Sequence, residues 1–77
     1  MASLVYFKKE SEDGVVIRYA FGEDPATMTR LLTMNTYTRT AQPDDGDLDY
    51  TFLKASRKIN AVYDERAQWP ERGMSAS

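Results

Sequence analysis

Two short, mostly apolar runs lie near the N terminus and are separated by charged residues. The runs cover residues 4–7 and 15–21 and are rich in β-branched and aromatic side chains. Asp13-Gly14 between them is typical of a tight turn. The pattern predicts an antiparallel hairpin with residues 12–14 as its loop and a positive φ at Gly14.

The loop position fixes which residues share a face of the predicted sheet. It places Lys9 opposite Ile17, Phe7 opposite Tyr19, and Val5 opposite Phe21. One face is then Val5, Phe7, Val15, Ile17, Tyr19 and Phe21. The other face is Tyr6, Lys8, Glu10, Val16, Arg18 and Ala20. Because a slip of one residue would exchange the two faces, burial favours the register that collects the apolar side chains.

The middle of the chain begins with a break at Gly22–Pro25, where Asp24-Pro25 is typical of a helix start. Met28 and Leu31 have helical spacing, but the many threonines that follow favour a strand. Residues 25–36 are therefore open between helix and strand. The interpretation adopted is a turn or short helix over 25–29, a strand over 30–36 and a further extended piece over 38–42.

The second half of the chain carries the clearest helical pattern. At about 100° per residue one stripe contains Leu48, Phe52, Ala55, Ile59, Val62 and Tyr63. Asp47 or Asp49 is the expected N-cap. Pro70 disfavours a helical residue before it, so the helix should end near Gln68, with Trp69 folding back onto the core.

Together these patterns predict an α+β fold: a small antiparallel sheet of three or four strands packed against one long C-terminal helix. Residues 1–70 form a single domain and residues 71–77 a flexible C-terminal tail. The expected core is Val5, Phe7, Ile17, Tyr19, Phe52, Ile59 and Val62.

Composition removes several classes of site. The chain has no Cys and no His, so it lacks thiolate ligands and the usual proton shuttle at neutral pH. The longest apolar run, Leu4–Phe7, is far too short to span a membrane, and the first residues do not resemble a signal peptide. A cytoplasmic protein without a membrane partner is expected.

One acidic stretch has the start of a calcium loop. Asp45, Asp47 and Asp49 match ligand positions 1, 3 and 5, but Tyr50 replaces the required Gly and Ser56 the bidentate Glu. The sequence therefore predicts a loop and helix cap, with no metal site.

No catalytic constellation accompanies the remaining acidic and hydroxyl side chains. The acidic pairs lie beside turn signals, where solvated carboxylates are expected, and no nucleophile has a base at a recognised spacing. There is no glycine-rich phosphate loop either. The chain is predicted not to be an enzyme and to bind no cofactor.

Binding to another protein is the function that the pattern favours. The polar sheet face still contains Tyr6, Val16 and Ala20 among Lys8 and Arg18, which is the composition of an interface core with a charged rim. We expect these five residues to form a partner interface, with self-association as a homodimer through the sheet. The strand near 30–36 would be its open edge if it lies outermost.

The alternative is a nucleic-acid-binding accessory protein. Lys54, Arg57 and Lys58 have helical spacing i, i+3, i+4 and form one basic face. Asp64 and Glu65 lie one to two turns further on and would repel phosphates. The net charge of −2 does not add to this alternative.

Three short motifs carry a resemblance. Tyr19 to Pro25, the Pro43-x-Asp-Gly sequence before the helix, and Trp69-Pro70-Glu71-Arg72-Gly73 resemble small uncharacterised proteins of actinobacterial type. The resemblance implies a stand-alone, non-enzymatic protein and supplies no activity.

Overall fold

A computed structural model describes residues 4–76 of the chain. In these residues the elements are β1 (Leu4–Glu12), β2 (Val16–Gly22), β3 (Arg30–Asn35), β4 (Ala41–Pro43), α1 (Tyr50–Arg66) and β5 (Arg72–Ala76). The strands form one antiparallel sheet in the order β4-β3-β2-β1-β5, with α1 on one face. The predicted α+β class is confirmed, and the described sheet has five strands instead of three or four.

The end of the chain differs most from the sequence prediction. Residues 72–76, which were expected in a flexible tail, form β5 and pair with β1, so that Gly73 lies opposite Phe7. β5 therefore belongs to the same domain as the rest of the sheet, and α1 is followed by a strand. Residues 1–3 and residue 77 of the predicted domain and tail lie outside the described residues.

Two contacts explain why β5 docks beside β1. A Cβ at position 73 would lie 2.8 Å from the ring of Phe7, so only glycine lets the strand approach the buried ring at this distance. The hydroxyl of Tyr19 donates a hydrogen bond of 2.7 Å to the Pro70 carbonyl. The chain between α1 and β5 is therefore tied to the core before the strand begins.

The turn of the β1–β2 hairpin lies one residue later than predicted. The Asp13 N–H donates to the Val16 carbonyl at 3.0 Å, and the Asp13 carboxylate accepts the N–H groups of Val15 and Val16 at 2.8 Å. These two bonds lower the pKa of Asp13. Gly14 does not have the predicted positive φ, because the aspartate side chain closes the turn.

A β-bulge corrects the register beyond this turn. The observed partners are Phe7 with Phe21 and Lys9 with Tyr19, whereas Phe7 was predicted opposite Tyr19. The extra residue of the bulge lies between Lys9 and Ser11. It compensates for the later turn, so the apolar residues of β1 remain on the face predicted to be buried.

The middle segment resolves as a turn followed by a strand. Asp24 accepts the N–H of Ala26 through its carboxylate (2.8 Å) and the N–H of Thr27 through its carbonyl (3.0 Å), and no helix follows. β3 confirms the strand predicted near 30–36. β4 overlaps the extended piece expected at 38–42 only at residues 41–42, because residues 36–38 form a turn. β3 lies between β2 and β4, so the prediction that it could be an open edge is wrong.

The core lies between α1 and the facing side of the sheet. Its buried cluster is Val5, Phe7, Ile17, Tyr19, Phe21, Leu32, Met34, Phe52, Ala55 and Ile59. The predicted core is confirmed except for Val62, which is only half-buried. Val15, predicted on this face, is exposed because it lies in the hairpin turn. Leu32 and Met34 show that β3 contributes to the core as β1 and β2 do.

The start of α1 shows which of the two predicted residues, Asp47 or Asp49, is the N-cap. Asp49 is the N-cap, and its carboxylate accepts the Phe52 N–H at 2.9 Å. Leu48 precedes the cap and is 64% exposed, so its predicted place on the buried stripe is wrong.

The helix ends at Arg66, two residues before the predicted position, in a left-handed cap. Ala67 has a φ of 54°, and its N–H donates to the Tyr63 carbonyl at 2.7 Å. The Trp69 ring stacks on Tyr63 with 4.2 Å between ring centroids and packs against the core, as predicted.

Candidate interaction surface

The face of the sheet opposite α1 is called the outer face here. Strand pairing places on it Tyr6, Lys8, Arg18, Ala20, Gly22, Leu31, Thr33, Gln42, Arg72 and Met74. Tyr6 lies opposite Met74 and Lys8 opposite Arg72. These positions combine apolar side chains with the cations Lys8, Arg18 and Arg72, and the half near β4 differs from the half near β5.

One part of the outer face is covered by the chain itself. A Cβ on Gly22 would lie 3.0 Å from the Thr27 carbonyl oxygen and 3.2 Å from the Met28 Cα, so the segment after β2 crosses the sheet at this point. Ala20, two residues earlier, is only 4% exposed. Ala20 was predicted as an interface residue, and its burial within the free chain makes that assignment wrong.

The half of the face near β4 is polar. The Arg18 guanidinium forms an ion pair with the Asp44 carboxylate, which also accepts a hydrogen bond of 3.2 Å from the Thr33 hydroxyl. Arg18 is thus engaged within the fold. Val16, also predicted at the interface, lies in this half, beside Thr33 and Asp44.

The half near β5 contains an apolar groove. The groove has a volume of about 330 Å³ and is lined mainly by Tyr6, Pro25, Met28 and Met74, with Lys8 and Arg72 at its charged side. Met74 is 45% exposed. Among the predicted interface residues, Tyr6 and Lys8 lie in this groove, which we call the β5 groove.

Lys8 and Arg72 are an unusual neighbouring pair. They lie opposite each other on adjacent strands and both side chains are exposed. Like charges at directly opposite positions destabilise a sheet. Neither takes part in an ion pair with any of residues 4–76. Their arrangement therefore places two cations beside an apolar groove, neither of them paired with an acidic side chain of the described residues.

β5 is one edge of the described sheet, and its free backbone groups follow from its pairing. The Lys9 N–H donates to the Glu71 carbonyl at 2.7 Å, so Lys9 and Glu71 are a hydrogen-bonded pair. Such pairs alternate in an antiparallel ladder. Gly73 therefore bonds to β1, and Arg72 and Met74 direct their N–H and carbonyl groups away from the sheet.

The two sheet edges are protected unequally. β4 has three residues and ends at Pro43, which has no N–H to donate. β5 has five residues with no proline and no bulge in its pairing with β1. Short strands and prolines are devices that prevent edge pairing, so β5 is the more accessible edge.

The residues missed from the sequence belong to segments with weak signals. Arg72 and Met74 were placed in a flexible tail because terminal residues are usually poorly ordered. Met28 was assigned to a turn or short helix, and nothing local to it indicates that this segment crosses the sheet.

The predicted nucleic-acid face lies on α1. Arg57 and Lys58 are exposed, and the Lys54 ammonium lies 5.5 Å from the centroid of the Tyr50 ring. The three basic residues border a shallow groove with Leu53 and Ser75. Their spacing on one helix is confirmed, whereas nucleic-acid binding stays a prediction.

The acidic stretch before α1 is bound by an arginine. The Arg30 guanidinium donates to Asp45 at 2.8 Å, to both Asp49 oxygens at 2.8 and 2.9 Å, and to the Asp47 carbonyl at 2.9 Å. Hydrogen bonds from Arg30 and then from the Phe52 N–H lower the pKa of Asp49. Those from Arg30 and the Asp47 N–H lower the pKa of Asp45. These carboxylates hold the loop to β3.

Within residues 4–76 no helix combines the length and the apolar character that crossing a membrane requires.

Comparison with protein-family models, curated proteins and solved structures finds no match to this chain. The resemblance to small actinobacterial proteins stays a prediction.

Proposed function

We propose that this chain is a non-enzymatic interaction protein that binds another protein by accepting an extended strand at β5. The observation that supports this proposal is the combination of an unprotected edge with a groove beside it. Backbone groups of the edge would pair with the added strand, and apolar side chains of that strand would pack on Met74 at the rim of the β5 groove. This is the mode of recognition known as strand addition.

The non-enzymatic part of the proposal is supported by the chemistry of the chain. The sequence contains neither His nor Cys. The carboxylates of Asp45 and Asp49 both accept hydrogen bonds from Arg30. A carboxylate with a lowered pKa and a guanidinium partner is a poor general acid.

For self-association, we propose that the added strand is β5 of a second copy of the chain. Two β5 strands can pair antiparallel about a two-fold axis at Met74, because Met74 directs its backbone groups outward from the middle of the strand. The pairing would place each Arg72 opposite Ala76 of the second copy. It would also bring the two Tyr6–Met74 contacts together as one apolar strip on a continuous sheet.

Sedimentation velocity tests self-association. The wild type should contain dimer at about 100 μM, roughly 100 times a micromolar dissociation constant. Met74→Lys should be monomeric because two like charges would face each other at the axis. Tyr37→Lys is the matched control: Tyr37 is 77% exposed and lies in the β3–β4 turn, so this variant should dimerise as the wild type does.

Two results would contradict self-association. One is a wild type that is wholly monomeric at about 100 μM. The other is a dimer that Met74→Lys and Tyr37→Lys weaken equally, since the dimer would then not use β5.

A further inference from the structure

We infer that the β5 edge is adapted to one class of partner: an extended segment of another protein in which an acidic side chain follows an apolar one by two residues. The inference rests on the proposed strand addition and specifies its partner. It is derived from the positions of Lys8 and Arg72 relative to the β5 groove.

The cation pair indicates the charge of the partner. Lys8 and Arg72 are exposed, adjacent and without an acidic partner in residues 4–76. A strand added at β5 would have one side chain directly opposite Arg72, within the distance of ordinary cross-strand pairs. Lys8 lies one strand further away, at about 10 Å from that position. A carboxylate there would relieve the repulsion between the two cations.

The groove indicates the neighbouring side chain. Arg72 and Met74 are two residues apart on the same face, so the partner residues opposite them are also two apart. The residue opposite Met74 would lie beside the exposed Met74 side chain, which forms the rim of the β5 groove on this side, with Tyr6 one strand further away. In an antiparallel addition the residue opposite Arg72 comes later in the partner chain. The expected order is therefore apolar, any residue, acidic.

A second copy of β5 does not fully satisfy this site. In the two-fold pairing Ala76 of the second copy occupies the position opposite Arg72, so within residues 4–76 this pairing supplies no side-chain carboxylate to either cation pair. A partner with an acidic residue at this position would therefore bind more tightly than the second copy and displace it. Self-association and partner binding would compete for one edge.

Titration calorimetry with short synthetic peptides tests the inference. The first peptide has Val-Thr-Glu at its centre, flanked by threonines, and the second replaces Glu by Gln. We expect the Glu peptide to bind about fivefold more tightly, as for a favourable exposed ion pair. The difference should shrink in about 0.5 M salt, where charges are screened within a few ångströms.

Protein variants locate the effect. Lys8→Gln with Arg72→Gln should remove the preference for the Glu peptide and leave the affinity for the Gln peptide unchanged. Arg57→Gln with Lys58→Gln is the matched control, because it removes the same charge from exposed positions on α1. This control should retain the preference in full.

The outcomes separate the inference from the proposed function. If both peptides bind equally and shift the NMR signal of the Met74 amide, strand addition holds and the carboxylate preference is wrong. If the control variant loses the preference as much as Lys8→Gln with Arg72→Gln, the cation pair is not the site. If neither peptide binds and the wild type is monomeric, strand addition at β5 fails as well.

Discussion

At the scale of single residues, arginines hold the loops in place in a chain that has no cysteine. Arg30 binds the acidic loop and lies over the Phe21 ring at 4.7 Å. Arg39 lies over the Tyr63 ring at 4.7 Å and donates to the Asn60 side chain at 3.0 Å. Each guanidinium bonds to several groups while it covers an aromatic face, which a lysine could not do equally well.

Ile59 provides a direct test of the core. It is fully buried at the centre of α1. Ile59→Ala should lower the free energy of unfolding by about 2–5 kcal/mol, and Ile59→Val by about 0.5–1.5 kcal/mol. Thermal unfolding monitored by circular dichroism measures both.

The exposed Leu48 is the control for this series. Leu48→Ala should change the free energy of unfolding by less than about 0.5 kcal/mol, as substitutions at exposed positions usually do. If Leu48→Ala lowered the free energy of unfolding as much as Ile59→Ala, Leu48 would be buried on the same helix stripe as Ile59, as the sequence pattern predicted.

At the scale of elements, the start of α1 depends on Asp49 in two ways. Its carboxylate caps the helix and binds Arg30; the negative charge strengthens the cap and is required for the ion pair. Because the pKa of Asp49 is lower in the folded state, its contribution is complete above the unfolded value of about 3.9. The contribution is lost as the pH falls through the lower folded pKa.

Asp49→Asn separates the two roles. Asparagine is also a good cap, so the variant keeps the cap and loses the ion pair. We expect a lower melting temperature than the wild type at pH 7 and a smaller loss of melting temperature between pH 5 and pH 2. Equal losses in that range would show that Asp49 does not titrate with folding.

The elements also show what a sequence can predict. β1, β2 and α1 have dense periodic patterns, because each buries one continuous face, and they were found. The bulge near Lys9 and the pairing of Gly73 beside Phe7 depend on contacts between distant segments, which periodicity does not record. The β5 groove was therefore predicted only at Tyr6 and Lys8, the members that belong to the first hairpin.

At the scale of the whole molecule, the two edges of the described sheet differ: β4 is protected against pairing with another strand and β5 is accessible. β4 is short and ends in proline, while β5 presents the backbone groups of Arg72 and Met74. The helix covers the opposite face, so the open edge and the β5 groove form one continuous surface with the cations Lys8 and Arg72. In the proposed function, this is the side of the molecule that would accept a strand.

Amide hydrogen exchange along β5, read residue by residue by NMR, tests the central claim most directly. In dilute free protein the amides of Gly73 and Ser75 should exchange slowly and those of Arg72 and Met74 quickly, because only the first two bond to β1. Adding the Glu peptide should slow exchange at Met74. Fast exchange at Gly73 and Ser75, or a Met74 amide that neither the peptide nor high protein concentration protects, would contradict the account.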